Sequence, residues 1–473
     1  MPSKSSRVLI FATALCLFAA IPSGFSQTAQ PTLDPLSRQQ VDAMAREILQ
    51  TTGVPSATVA IVKDGQLAYA AAYGSAHLDP VKAAEPAMRY SIGSISKQFT
   101  ATAILMLAEQ HKLSLDDPVA KFIPDLTRAK EVNIRELLSH TSGYQDFWPQ
   151  DYVPPFMRER ISAQKILDLW ARKPLDFDPG TKWQYSNTNY VIAGLIVEKA
   201  SGMPLLRFLS QRIFTPLDMR SVMDVDQNHL TETDATGYSR FALGPPRQAP
   251  DEGPGWMFAA GELAMPASDL AKWDISMIDQ KLMQPASYRE MQTEVRLKNG
   301  LGTRYGLGLD IVSEEGHRAL EHGGEVSGFT SENIVFPDDR AAIVVLTNED
   351  AANAASAIAR RVAPLLFPDE DKNKDAALAQ AKQIFQGLQQ GKIDRPLFTA
   401  NCNDYFSPQA VADYASSLGP LGAPIAFVQM VHTERGGMSF RLYAIKFPQK
   451  TVQIWLRAMP DGKIEQFQVM AAE

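Results

Sequence analysis

Residues 90–100 read YSIGSISKQFT, and within them Ser94 and Lys97 stand three apart. A serine hydroxyl is unreactive at neutral pH until a neighbour takes its proton. On a helix, residues three apart share one face at about 5–6 Å, so a lysine one turn on can be that neighbour. Its amine acts as a base only when neutral, a state that burial favours. Spacing alone does not decide the matter, because Ser162 and Lys165 in ISAQKILDLW repeat it. Context separates the copies. Gly93 permits a tight turn before Ser94, and the apolar FTATAILML behind it draws Lys97 out of water. A serine at a helix start also offers its own N–H to an oxyanion, aided by the helix dipole. Ser162 opens an amphipathic stretch with Arg160 before it and Asp168 after Lys165, which reads as a solvated N-cap. Ser94 has an N-cap reading too, but the residue three later is lysine and not the Glu or Gln of a capping box.

Other fragments supply companions. PGTKWQYSNTNYVIAG at 179–194 contains Tyr185-Ser186-Asn187, a phenol able to relay protons and an amide able to orient a carbonyl. EHGGEVSGF carries His322-Gly323-Gly324 after an expected strand; the glycines let a substrate backbone lie on the strand edge, and the histidine offers a donor. His140, in LLSHTSGY, reads as a packing or hydrogen-bonding residue. His77, His111, His229, His317 and His432 show no ligand spacing and read as surface residues. Trp148, Trp183 and Trp256 flank the motifs and either line a cleft or pack inside. No HExxH, CxxC, phosphate-binding glycine loop or Gly-x-Ser-x-Gly elbow occurs.

In this order the fragments resemble the serine β-lactamase and penicillin-binding-protein superfamily, over about residues 36 to 366. The resemblance is nearest to the branch holding class C β-lactamases, D-Ala-D-Ala carboxypeptidases, D-aminopeptidases and family VIII carboxylesterases. Ser94–Lys97 matches its Ser-x-x-Lys element, Tyr185–Asn187 its Tyr-x-Asn element, and His322-Gly323-Gly324 stands in the place of Lys-Thr-Gly. LLSHTSGY at 137–144, AAGELAMPASDLAKW at 259–273 and YGLGLDI at 305–311 agree as well. The resemblance implies an acyl-enzyme on Ser94, with Lys97 and Tyr185 moving protons and Asn187 holding the substrate amide. It implies an oxyanion hole from the N–H groups of Ser94 and Glu325. It implies a small-molecule or peptide substrate, no cofactor and no metal. Two positions depart from the pattern. Histidine at 322, with a reference pKa near 6.5, is largely neutral at pH 7 where lysine would be a fixed charge for a substrate carboxylate. Glu325 adds negative charge where relatives carry a small residue. Both point to D-amino-acid peptidase or esterase action over efficient β-lactamase action. The competing reading is a non-catalytic binding protein that keeps the fold.

Around the motifs, SATVAIVK (56–63) and QLAYAAAY (66–73) flank Asp64-Gly65, a type I′ hairpin signal. ENIVFP and AAIVVLTN form a second pair, with helical patterns between the two. The expected fold is α+β: one antiparallel sheet from N- and C-terminal strands, flanked by helices, with a helical region inserted (β-lactamase/transpeptidase-like, residues 34–366). A charged linker at 367–375 leads to a small α+β domain at 376–473, a helix on an antiparallel meander. At the other end Lys4 and Arg7 precede the apolar Val8–Ile21 and the small residues of PSGFSQ. The apolar run is roughly 14 residues, against the roughly 20 a bilayer needs, so 1–26 reads as a cleaved signal peptide. Export to the periplasm or beyond follows, with no stable transmembrane span after cleavage and Cys402 as the sole remaining thiol. A net charge of −7 gives no footprint for nucleic acid. The oligomeric state is left open.

Overall fold

Asp64 and Gly65 both adopt left-handed φ, 54° and 75°. That turn folds Ser56–Lys63 (β1) back on Gln66–Leu78 (β2) in antiparallel register. The structure, a computed structural model, describes residues 32–150, 152–367, 371 and 373–471, so the expected signal segment lies outside the described residues. Val81–Ala83 (β3) continues the sheet at one edge. The other half arrives late in the chain as Asp310–Glu314 (β4), His317–Val326 (β5), Phe329–Phe336 (β6) and Ala341–Thr347 (β7). The order is β3-β2-β1-β7-β6-β5-β4, and Ala57 opposite Thr347 marks the antiparallel seam where the halves meet.

Strands β6 and β7 are buried at every position, because both faces of the sheet are covered. Val59, Ile61, Ile343 and Val345 point to one core, shared with the helices Pro35–Thr52 (α1) and Ala354–Val362. Ala60, Val62, Val344 and Leu346 point to the other, shared with the inserted helices. The alternation follows from the two-residue repeat of a strand. Among the inserted helices, Ser96–Glu109 (α2) is buried at every residue from Ser96 to Leu107 and runs beside Asn187–Ser201 (α3). Gly202, at φ 77°, ends α3 as its sequence predicts.

The described residues from Asp371 onward form a second compact unit with a core of their own, built around Ile384, Phe385, Tyr443, Ile454 and Leu456. Its four strands follow the sequence reading: Ala426–Arg435, Met438–Lys446, Thr451–Ala458 and Ile464–Ala471 pair in that order. The helix Lys374–Gln389 was expected, whereas Ala400–Tyr405 and Pro408–Leu418 were not. Their signals are caps and not periodicity: Thr399 and Ser407 each accept a backbone N–H from the first turn.

The expected linker 367–375 shortens from both ends. Phe367 belongs to the first unit, stacked on His317 with ring centroids 3.7 Å apart. Asp371 is buried in the second, accepting from Arg441 Nε at 2.8 Å and Nη2 at 2.5 Å. Burial pushes the Asp371 carboxyl up, but Arg441 and Gln429 override it and hold it down to about 2. The pair therefore contributes fully above the ordinary carboxylate pKa and is lost as pH falls through about 2. Arg441→Met leaves a buried carboxylate without its cation and is expected to cost about 3–5 kcal/mol. Hydrogen exchange at residues 438–458 measures this, and unchanged protection there would refute a stabilising role for the pair.

Candidate active site

Gly93 sits at φ 51° in a single 3-10 turn, residues 93–95, that leads into α2. A side chain here would strike β5, because a Cβ would lie 2.8 Å from the Glu325 nitrogen. Across the same contact, a Cβ on Gly324 would lie 2.0 Å from the Ile92 oxygen. The two glycines thus bring the turn carrying Ser94 and the edge of β5 into backbone contact. Ser94 is half-buried there, at the floor of a cleft of about 860 Å³.

Lys97, one turn on, is fully buried. Its Nζ donates to Ser94 Oγ at 2.9 Å, Asn187 Oδ1 at 2.8 Å and the Ala260 carbonyl at 2.9 Å. Burial holds the Lys97 ammonium down to about 7, against the upward pull of Asp146 and Glu262. Tyr185 lies alongside, its ring centroid 4.9 Å from Nζ. Burial pushes its phenol up, while a hydrogen bond to Ser94 works in the opposite direction. Ser162 and Lys165 are exposed, and Ser162 Oγ accepts the Lys165 N–H at 3.2 Å as a plain N-cap.

His140 packs against this arrangement. Its Nδ1 accepts the Ser186 N–H at 3.1 Å, and its ring lies 4.3 Å from that of Tyr185 and 4.9 Å from that of Tyr305. Burial keeps its pKa well below the usual value, so it supports the Tyr185–Asn187 segment as a neutral ring. His322 is buried as well. Its Nδ1 donates to the Gly323 carbonyl at 2.6 Å, which leaves Nε2 to accept from the Tyr305 hydroxyl at 2.9 Å. Burial and Lys97 press its pKa to about 4, further below pH 7 than its reference value predicts. Glu325 lines the cleft, and its Oε1 accepts the Ala351 N–H at 2.9 Å.

The structure therefore gathers Ser94, Lys97, Tyr185, Asn187, His322, Gly323, Gly324 and Glu325 around one cleft. Asn187 differs from expectation in its present contacts: Oδ1 faces Lys97 and Nδ2 faces Asp146 Oδ2 at 3.4 Å. Asp146, two residues beyond LLSHTSGY, escaped the sequence reading. It accepts the Asn187 N–H at 2.9 Å and orients that residue. Tyr305 and Asp310 stand inside the YGLGLDI stretch without having been singled out. Of the tryptophans, Trp183 is 40% exposed at the cleft, Trp148 is half-buried beside it, and Trp256 is 3% exposed in an aromatic cluster with Phe147 and Trp170. The surface reading fails for three histidines. His77, His317 and His432 are half-buried, beside Thr236, Asp339 and Asp371 respectively.

Comparison with known proteins places this geometry. A penicillin-binding protein of Bacillus subtilis (strain 168) is 28% identical over 325 residues, covering 66% of this chain and 72% of its own length. The D-aminopeptidase of Brucella anthropi is 29% identical over 314 residues, covering 65% of this chain and 59% of its own length. The crystal structure of a D-stereospecific amidohydrolase from Streptomyces sp. superposes with a TM-score of 0.59 at 27% identity, over 69% of this chain and 98% of that one. The sequence model described as Beta-lactamase matches residues 41–366, which include the whole seven-stranded sheet, and the chain belongs to the beta-lactamase family.

Proposed function

We propose that the protein is a serine hydrolase that cleaves an amide or ester bond through an acyl-enzyme on Ser94, with D-amino-acid peptidase or carboxylesterase specificity. The observation that carries this reading is the three-way contact of Lys97. Asn187 Oδ1 and the Ala260 carbonyl only accept hydrogen bonds, so a neutral amine gives them its two N–H groups. Its lone pair is then left for the Ser94 hydroxyl. Ser94 Oγ attacks the carbonyl carbon as its proton passes to Lys97 Nζ. The N–H groups of Ser94 and Glu325 hold the oxyanion. Protonation of the leaving nitrogen or oxygen through Lys97 and Tyr185 breaks the scissile bond, and water then releases the acid from Ser94.

The cleft argues against carboxylate-bearing substrates. Besides neutral His322, its lining holds Asp146, Asp310, Glu325, Glu332 and Asp350, while Lys97 beside Ser94 is buried among its three hydrogen-bond partners. The relatives named above are in keeping with a peptidase or amidase. The positive and then apolar segment at 4–21 supports export of the enzyme, and no described helix is long and apolar enough to cross a membrane.

Ser94→Ala is expected to abolish hydrolysis and fluorophosphonate labelling without lowering the melting temperature, while Ser162→Ala keeps both. Labelling that follows Ser162 would reverse the assignment. Because Lys97 must be neutral to act, kcat/KM is expected to rise with pH through about 7 and then level. A profile flat between pH 5.5 and 8.5 would exclude Lys97 as the base. His322→Lys adds permanent charge; at an effective dielectric near 20, a pair at roughly 4 Å is worth about 4 kcal/mol before desolvation. About a tenfold gain in kcat/KM for penicillins over neutral esters is expected, and an unchanged ratio would show that position 322 does not face the carboxylate.

A further inference from the structure

Helix α3 begins without a cap of its own. Ser186, which precedes it, makes no capping hydrogen bond, and its Oγ is buried without a partner. The acceptor comes instead from 41 positions upstream, where Asp146 Oδ1 takes the Asn187 N–H at 2.9 Å and the Trp148 N–H at 3.2 Å. A carboxylate in this place also suits the positive end of the helix dipole. The segment around Asp146 is tied to the same turn of α3. Thr188 Oγ1 donates to the Gln145 carbonyl at 2.7 Å, and Ser142 Oγ donates to Asn189 Oδ1 at 2.6 Å. With Oδ1 held by two backbone donors, Asp146 turns Oδ2 to the Asn187 side chain, 3.4 Å from Nδ2. That contact is long, but its polarity is fixed.

The polarity decides which way the Asn187 amide faces. An ionised carboxylate only accepts, so Asn187 turns its NH2 toward Asp146 and its Oδ1 toward Lys97, whose Nζ donates to it at 2.8 Å. The reversed amide has a chemical consequence. Its NH2 would face Nζ, and a neutral amine has a single lone pair with which to accept that donor. A lone pair engaged by Asn187 is lost to the Ser94 hydroxyl, 2.9 Å away. Reversal would also set Asn187 Oδ1 against the Asp146 carboxylate, acceptor against acceptor. Asp146 therefore excludes the one amide orientation that competes with Ser94 for the base.

We propose that Asp146 is a positioning residue for proton abstraction: by holding the Asn187 amide with its oxygen toward Lys97, it reserves the Lys97 lone pair for Ser94. This deepens the acyl-enzyme reading and rests on it. Asp146 acts on Lys97 through its charge as well, since it and Glu262 pull the Lys97 pKa up against burial. The other titratable groups around the amine add no negative charge. His140 and His322 are buried and neutral. The Tyr185 and Tyr190 rings lie 4.9 and 5.5 Å from Nζ, and burial keeps both phenols protonated. Removing the Asp146 charge thus moves the Lys97 titration to lower pH, whereas reversing the amide lowers the rate even where Lys97 is neutral.

The readout is the rate at which a fluorophosphonate labels Ser94 in the full-length protein, followed from about pH 5.5 to 9.5. Ser94 Oγ displaces fluoride from phosphorus as its proton passes to Lys97, so the probe stands in for a substrate. In Asp146→Asn the new amide keeps its oxygen on the two backbone N–H groups and sets its NH2 where Oδ2 was, facing the NH2 of Asn187, which then turns over. The alkaline plateau is expected to fall about tenfold or more, and the acid limb to move to lower pH. Asp146→Asn combined with Asn187→Asp gives Lys97 an acceptor that has no donor to turn toward it. Its plateau is expected to rise above that of Asp146→Asn, with the acid limb above that of the wild type. Asp146→Ala serves where Asp146→Asn folds poorly, its plateau and limb moving in the same directions as in that variant. Melting temperatures identify the folded variants. An unchanged plateau in a folded variant overturns the proposal while leaving the acyl-enzyme in place. A lower plateau with an unmoved acid limb, or a folded double variant no faster than Asp146→Asn, assigns Asp146 a merely structural part and overturns it as well. A wild-type protein that the fluorophosphonate does not label refutes the acyl-enzyme itself, and the positioning role with it.

Discussion

The first turn of α2 keeps Lys97 out of water, and the rest of the cleft is arranged around that burial. An ammonium held among apolar neighbours loses hydration, and its pKa falls accordingly. Too little compensation would make such a residue costly; too much would fix its charge. Three acceptors satisfy its hydrogens, while Asp146 and Glu262 pull its pKa back up from a distance. The outcome sits near neutrality. Much of the surrounding sequence serves this balance: the all-round apolar helix, the glycine turn before it, and the neutral His140 under Tyr185.

The same logic explains why two histidines beside the site stay neutral. His140 and His322 both lie close enough for Lys97 to depress their titration, and both are buried. A second positive charge near Lys97 would push its pKa lower still, and a charged His322 would attract a carboxylate into the cleft. The backbone carbonyl of Gly323 and the hydroxyl of Tyr305 instead lock one neutral tautomer in place.

The strands, the long helices and the placing of the motif residues around one cleft were legible because each rests on a local signal: periodicity for α2 and α3, Asp-Gly for the first hairpin, serine–lysine spacing for the buried Ser94–Lys97 pair. Context, and not spacing, told Ser94 from Ser162, since burial of the following helix is itself a sequence property. Asp146, Glu332 and Asp310 were not legible. Asp146 acts through Asn187, Asp310 and Glu332 stand beside Glu321 on the neighbouring strand, and a lone acid in a loop or strand carries no pattern of its own. The capped helices after Thr399 and Ser407 are too short for periodicity to mark them. The linker misled because its charges looked solvated, whereas Asp371 finds Arg441 seventy positions later. For Asp146 and Asp371 the missing information is a pairing distant in sequence, with Asn187 and Arg441.

The seam between β1 and β7 carries a consequence for how the molecule comes into being. Ser56 donates its N–H to Asn348 Oδ1 across 292 positions, and the Ser94 turn rests on Glu325 of the late strands. Contacts this distant in sequence form slowly, since a large loop must close before any of them is made. A chain still emerging from its point of synthesis has Ser94 and Lys97 but lacks the strand that completes the cleft around them. The cleft is therefore completed late, after the last third of the domain has been made. Until then the apolar α2 segment has no β5 edge to rest on and is open to capture by whatever holds unfolded chains.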